Sequence, residues 1–407
     1  MASVSSDQRR LAAALFVVAW GTNISTPLIL RYQDRQDLSD SAAVAIFSFY
    51  VGGILLALLF AGRLADRFGR RPIVLPFTLL SGVGSLLMIA GRDELTVLLL
   101  GRFLLGLVSG ATISVGTAWM NELVVVSDSD RADDPASAAA ARLRLAGFVT
   151  LLLYLGFGFG PITAALWDRW LPDPLVWPYV VHAVACASAA LLVWVVPETK
   201  RRDPSVSLRP GIGVPPAARR AFFSRLAPAS VWVFGFPSVS FALFPVILRD
   251  AIGGSDVLVA GVTGSLTALA ALAARPIVSR AADANRALGI GMVIGVGGYV
   301  IGVIAFTTGA WWLAPVSAVA LGAASGVLMN AGLAITEGLA DDEQRGTLSA
   351  TYYLLAYSGM TMPLILTGVS ALTTTTTALV GVTVVAASIA VLMTVQFNAA
   401  RRVTSSG

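Results

Sequence analysis

The sequence predicts an all-α polytopic membrane protein, twelve transmembrane helices arranged as two pseudo-symmetric six-helix bundles, and three observations carry that reading. The first is composition: of 407 residues, 56% are hydrophobic and 13% charged, with a mean hydropathy of +0.79. Water-soluble domains carry roughly 25% charged residues, so most of this surface needs lipid. The second is segmentation. Continuous apolar runs fall at about 11–31, 41–61, 73–91, 95–119, 145–167, 177–196, 228–248, 256–275, 288–308, 311–335, 347–371 and 375–397, each near the ~20 residues that cross a bilayer as a helix. The third is repetition. Thr26-Pro27-Leu28-Ile29-Leu30-Arg31 recurs as Phe244-Pro245-Val246-Ile247-Leu248-Arg249 at an offset of 218, Asp66 as Asp283 at 217, and Gly106, Ser109 and Gly110 as Gly322, Ser325 and Gly326 at 216.

The runs are helices because a lipid-exposed backbone must satisfy its own hydrogen bonds, whereas a membrane barrel would show short alternating segments. Arg9 and Arg10 precede the first run, which has no clear small-residue cleavage site and is expected to remain as a span. After the fourth span the repeat offset shrinks to 202, where Pro363 answers Pro161, because the first half has a longer connector near 133–142. Between the halves, the stretch from Pro197 to Arg225 holds seven basic residues, five prolines and two glycines. That composition resists regular structure, so the expected organisation is a first bundle over 1–197, a linker over 198–226 and a second bundle over 227–407. Two related halves meeting around a central site form an architecture suited to alternating access.

Charge orients the chain. Twenty-two of the 28 Lys and Arg fall in the termini and the connectors on their side, five on the opposite side, and Arg102 inside the fourth span. Basic residues collect in cytoplasmic loops, so both termini are expected in the cytoplasm and the net charge of +5 calls for no nucleic-acid partner. Cys186 is the single cysteine and His182 the single histidine, which rules out an intramolecular disulfide and leaves no Cys/His cluster for a metal. No cofactor is expected. An enzyme is disfavoured because the spans contain no His/Asp, Ser/His or metal-ligand set, and a channel because no selectivity motif is visible.

Gly62-Arg63-Leu64-Ala65-Asp66-Arg67-Phe68-Gly69-Arg70-Arg71, between the second and third spans, matches every specified position of G-x-L-A-D-R-x-G-R-[KR]. It resembles the signature loop of the major facilitator superfamily. The two glycines permit a tight turn with close backbone approach, and Asp66 is a carboxylate able to meet a positively polarised helix N-terminus. The resemblance implies that Asp66 docks on the start of span eleven, near Gly346 and Thr347, and latches the cytoplasmic side shut. It makes Glu122 the partner of Arg70 or Arg71, sets Asp283 against the start of span five, and makes Glu337 the counterpart of Glu122. The second-half segment from Ser279 to Arg286 lacks the glycines.

Arg102, with Gly106 and Gly110, resembles the family's second motif in the fourth span. A charge there should face a cavity or a partner, and in the family this Arg lines the central cavity and is tied to proton coupling; the alternative is snorkelling to the external interface. Gly156, Gly160 and Pro161 in span five resemble the antiporter motif G-x-x-x-G-P-x-x-G-G, with Ala164 and Ala165 in place of the last two glycines; generic small-residue packing is the alternative. No Asp or Glu stands in the middle of a span. Coupling candidates are therefore Asn23, Arg102, Asp34 at the outer end of the first span and His182, which is either titratable or a packing residue. The resemblance makes spans one, four, seven and ten the cavity lining, with Thr26, Ser109, Thr112, Trp232, Phe236, Ser240, Ser325, Met329 and Asn330 as substrate-facing candidates. Together they imply a monomeric carrier in a bacterial cytoplasmic membrane, exporting small neutral, lipophilic or anionic compounds against protons; an uptake permease or passive facilitator is the alternative.

Overall fold

A computed structural model describes residues 5–128 and 135–405, with side chains described outside 124–143, 342–343 and 396–405. Residues 129–134, part of the longer connector of the first half, lie outside the described residues. Every regular element among the described residues is helical. Among the described residues, twelve helices are long and apolar enough to cross a membrane: α1 Ser6–Gln36, α2 Asp40–Phe68, α3 Arg71–Asp93, α4 Leu95–Leu123, α5 Arg144–Trp170, α6 Trp177–Trp194, α7 Pro216–Ile247, α8 Asp256–Arg280, α9 Ala284–Thr308, α10 Leu313–Leu339, α11 Gln344–Leu372 and α12 Thr375–Val395. The chain is a multi-pass membrane protein.

Local chemistry sets the helix ends. At the start of α1, Ser5 and Gln8 form a reciprocal capping box: the Gln8 N–H donates to Ser5 Oγ at 3.2 Å and the Ser5 N–H to Gln8 Oε1 at 2.9 Å. Pro72 and Pro178 sit in the first turns of α3 and α6, where a missing N–H costs nothing. Gly309 closes α9 in the left-handed conformation, φ +70°.

The chain packs as two units, one of residues 1–36 and 49–210, the other of 37–48 and 211–407. The connection between the bundles is more ordered than its composition suggests. Residues 197–215 are irregular, but α7 begins at Pro216, so Arg219, Arg220 and Arg225 lie on its first turns rather than in a loop. Two π-helical turns, Phe222–Leu226 and Val239–Leu243, interrupt α7, the second flanked by Pro237 and Pro245. Proline withdraws an N–H from the ladder, and a wider turn re-routes the carbonyls it strands.

The sequence repeat marks equivalent packing in each unit. Gly106 of α4 lies on the Tyr50 carbonyl of α2, and Gly110 one turn later would set a Cβ 2.6 Å from that of Ala57. Gly322 and Gly326 of α10 lie in the same way on the Thr267 and Ala271 carbonyls of α8. In both units glycines four apart bring two helix backbones together, contact that any side chain would prevent.

Candidate functional site

The signature segment is mostly helix. α2 runs through Phe68, so Gly62 and Asp66 belong to its last turns; a Cβ on Gly62 would meet nothing within 4 Å, and the tight turn rests on Gly69 alone, φ +103°. Arg70 follows, nearly buried, its guanidinium 3.1 Å from Asp66 and 2.8 Å from Glu122. Nε of Arg70 donates to the same Glu122 oxygen at 3.1 Å, and the Thr199 hydroxyl donates to the other. Lys200 stands 3.7 Å from Asp66, and Arg67 lies over the Phe68 ring at 5.8 Å. The planar fork of Arg70 thus bridges the end of α2 to the end of α4, a geometry that Lys could not reproduce.

Glu198 completes this cluster, and the sequence reading missed it. Its carboxylate accepts the backbone N–H groups of Arg70 at 3.0 Å and Arg71 at 2.9 Å, capping α3 from a residue more than a hundred positions away. Arg70, the residue before α3, provides no side-chain cap of its own. The absent Cβ of Gly69 leaves room, since one there would come 2.7 Å from Glu198 Oε2. The available signal was an acidic residue one position beyond the last apolar residues of span six, ahead of a basic run. The chain continues along the same unit: the Asp203 N–H donates to the Arg67 carbonyl at 3.1 Å, and Arg63 donates to the Ser207 carbonyl at 3.1 Å. Ser205 donates to Asp203 and holds that carboxyl below its usual range.

Arg102 is fully buried. Its Nη1 donates to the Thr22 carbonyl and to Ser25 Oγ, both at 2.9 Å, and the guanidinium lies 5.0 Å from the centre of the Tyr50 ring. The group does not snorkel; it is held by α1 and by the face of Tyr50. Ser109, two turns on, shares a hydrogen bond of 2.9 Å with Thr22. The hydroxyls of Thr26 and Thr112 are buried without a hydrogen-bond partner. Asp34 lies 3.6 Å from Arg31, which is itself fixed on Asp168 at 2.7 Å.

The α1–α5 seam gathers the span-five motif. A Cβ on Gly156 would come 2.7 Å from that of Ala19, and one on Gly160 2.6 Å from the Trp20 carbonyl. Trp20 donates to Thr163 Oγ1 at 3.1 Å and Asn23 to the Phe157 carbonyl at 3.3 Å across the same seam. His182 is fully buried on the other side of α1: its Nε2 is 3.0 Å from the Val17 carbonyl and its Nδ1 2.7 Å from Ser85 Oγ. A carbonyl only accepts, so Nε2 carries the proton and Nδ1 accepts from Ser85. The ring sits where a Cβ of Gly21 would lie, and Trp20 meets it edge-on at 5.5 Å.

In the second unit, Trp232 and Phe236 are buried with Tyr299, ring centres 5.1 Å to 6.1 Å apart, and Phe236 fills the space above Gly295 of α9. Ser240 shares a hydrogen bond of 2.8 Å with Thr267. Ser325 is buried, Met329 half-buried, and Asn330 exposed, with its amide on the Gly326 carbonyl at 2.7 Å. Asp283 caps α9, accepting the Arg286 N–H at 2.9 Å, while Glu337 is exposed.

Comparison with known proteins adds the following. The sequence profile of the Major Facilitator Superfamily matches residues 11–362. The chain is 28% identical over 213 residues to proteins named multidrug resistance protein MdtL, from Shigella flexneri and Escherichia coli, with 51% of this chain and 49% of each relative covered. It spans about half the length of the curated relatives it matches. Among solved structures, the POT family transporter PepTSo superposes with a TM-score of 0.73 at 14% identity, over 98% of this chain and 99% of that one. A POT family transporter in complex with 5-aminolevulinic acid gives 0.76 at 12%, over 95% of both chains. The nucleoside transporter NupG gives 0.71 at 12%, over 97% of this chain and 100% of that one. At these identities the likeness is one of fold.

Proposed function

This chain belongs to the Major Facilitator Superfamily, and on that premise we propose that it is a secondary transporter which exports small organic compounds across the cytoplasmic membrane by alternating access, coupled to protons. The observation that carries the reading is the Asp66–Arg70–Glu122 cluster, an intact charge device at the arginine-rich end of the first unit. In this proposal that end is cytoplasmic, as the excess of basic residues there supports. Asp66 docks on the N-terminal end of α11 when the cytoplasmic side is shut, and Arg70 holds it ready by bridging to Glu122. Release of that contact lets the carrier open inward. The transporting unit is a monomer.

Export is supported by the likeness to proteins named for multidrug resistance and by the tight Gly156/Gly160 seam of α1 and α5. The buried surroundings of Arg102, Thr26, Thr112 and the aromatic set at Trp232 suit lipophilic or anionic compounds better than polyols. Uptake, or passive facilitation, is the second reading, and the absence of an acidic residue from the middle of any span favours it. The test compares right-side-out with inside-out vesicles, each given an imposed pH gradient and a panel of dyes, antibiotics and organic acids. Export predicts gradient-dependent accumulation in inside-out vesicles. Accumulation in right-side-out vesicles, or indifference to the gradient, overturns it in favour of the second reading.

A further inference from the structure

The repeat equates Asp66 with Asp283, yet the structure gives the two carboxylates different tasks. Asp66 lies in the last turn of α2, 3.1 Å from the Arg70 guanidinium. Asp283 lies in the short turn between α8, which ends at Arg280, and α9, which starts at Ala284. Its backbone is extended, φ −157° and ψ 167°, and its side chain accepts the N–H of Arg286, three residues on. This is N-cap geometry, in which an acceptor oxygen satisfies one of the orphan donors of the first helical turn. The matching helix of the first unit, α3, has no side-chain cap at Arg70 and is capped by Glu198 instead. The first unit therefore leaves Asp66 within α2 and free of capping duty, whereas in the second unit α8 ends before the repeated carboxylate, which falls in the turn directly ahead of α9. The matching glutamates differ in the same sense: Glu122 is engaged by Arg70 and Thr199, while Glu337 is exposed with no salt bridge among the described residues.

We infer that Asp283 is the N-cap of α9 and not a charge latch, so that the gate at the arginine-rich end is governed by the first unit alone. The inference deepens the gate reading given above and rests on it for the role of Asp66; the capping assignment stands without it. A latch needs the charge, whereas a cap needs only an acceptor on a short side chain, and Asn and Ser cap about as well as Asp. That difference makes the roles separable.

The test uses the full-length protein with Cys186→Ser, carrying Asp283→Asn, Asp283→Ser, Asp283→Ala or Asp66→Asn. Two readouts apply: hydrogen exchange over the first turn of α9, and maleimide labelling in inverted vesicles of one added cysteine, at Arg144 for the Asp283 series or Thr347 for Asp66→Asn. Asp283→Asn and Asp283→Ser should leave both readouts within about two-fold of the parent, and Asp283→Ala should speed exchange about five-fold with labelling at Arg144→Cys little changed. Asp66→Asn should raise labelling at Thr347→Cys. If Asp283→Asn instead raises labelling at Arg144→Cys while exchange in α9 stays at the parent rate, Asp283 is a latch and the inference is overturned. Unchanged exchange in Asp283→Ala also overturns it. Unchanged labelling in Asp66→Asn removes the latch of the first unit, and with it the one-unit gate, but leaves the cap standing.

Discussion

Replacing Gly160 by Ala tests whether the α1–α5 seam is held by backbone contact. The added Cβ would lie 2.6 Å from the Trp20 carbonyl oxygen, 3.1 Å from the Asn23 carbonyl carbon and 3.2 Å from the Ile24 N, where ordinary contact begins at 3.4 Å. The shortfall against the oxygen is about 0.8 Å, and all three neighbours are backbone atoms that no rotamer change can move. Either the helices part by that amount or the carbonyl tilts out of the α1 ladder. A gap of 0.5–1 Å forfeits about a quarter to a half of each dispersion contact along the seam, and overpacking of this kind typically costs about 1–3 kcal/mol. The opened seam would also stretch the Trp20–Thr163 and Asn23–Phe157 hydrogen bonds, now 3.1 and 3.3 Å. Gly62→Ala is the matched control: its Cβ meets nothing within 4 Å, and Ala is favoured over Gly in a helix by up to about 1 kcal/mol. Thermal unfolding of purified protein in one detergent, followed by tryptophan fluorescence, should show Gly160→Ala several degrees below the parent and Gly62→Ala at or above it. Equal melting temperatures for the two variants would refute the reasoning, because the same chemical change would then be insensitive to a backbone less than 3 Å away.

Four further outcomes are expected. Asp66→Asn removes the charge offered to a helix N-terminus, worth about 0.3–2 kcal/mol, and should reduce transport sharply at near-normal expression; normal transport would count against the latch. Glu198→Gln turns an amide N–H₂ towards the N–H groups of Arg70 or Arg71, and for this exposed group should destabilise by about 1 kcal/mol, seen as a lower melting temperature and faster exchange at the start of α3. Arg102→Lys keeps the charge but loses the planar group lying over Tyr50, and should cost about 1–3 kcal/mol in stability, measured by the same unfolding assay. A cysteine placed at Arg209 in a Cys186→Ser background should react with an impermeant maleimide in inverted vesicles and not in intact cells with a permeabilised outer layer; the reverse pattern would invert the topology.

The sequence by itself determined the solvent, the number of helices and the relation between the halves. Those properties are written in composition and periodicity: scarce charge demands lipid, lipid demands helices about 20 residues long, and glycines at fixed offsets mark surfaces where backbones meet. The glycines at 106, 110, 322 and 326 keep that meaning in the folded units, each on a helix two earlier in the chain. The signature loop was also legible, because its residues are adjacent and the Asp66–Arg70 pair spans a single turn. What only the tertiary structure decided is which distant groups meet. Nothing near Arg70 in the sequence announces that Glu198 will cap α3, that His182 will fill the space over Gly21, or that Arg102 will be held by the Thr22 carbonyl and the face of Tyr50. Likewise the carboxylates at 66 and 283 look alike along the chain, but α2 runs past the first and α8 stops short of the second, which sends one to a guanidinium and the other to a backbone N–H. Hydrophobic patterning acts through the average environment of a segment, whereas a hydrogen bond depends on positions to within about half an ångström, and those are fixed only when the helices pack.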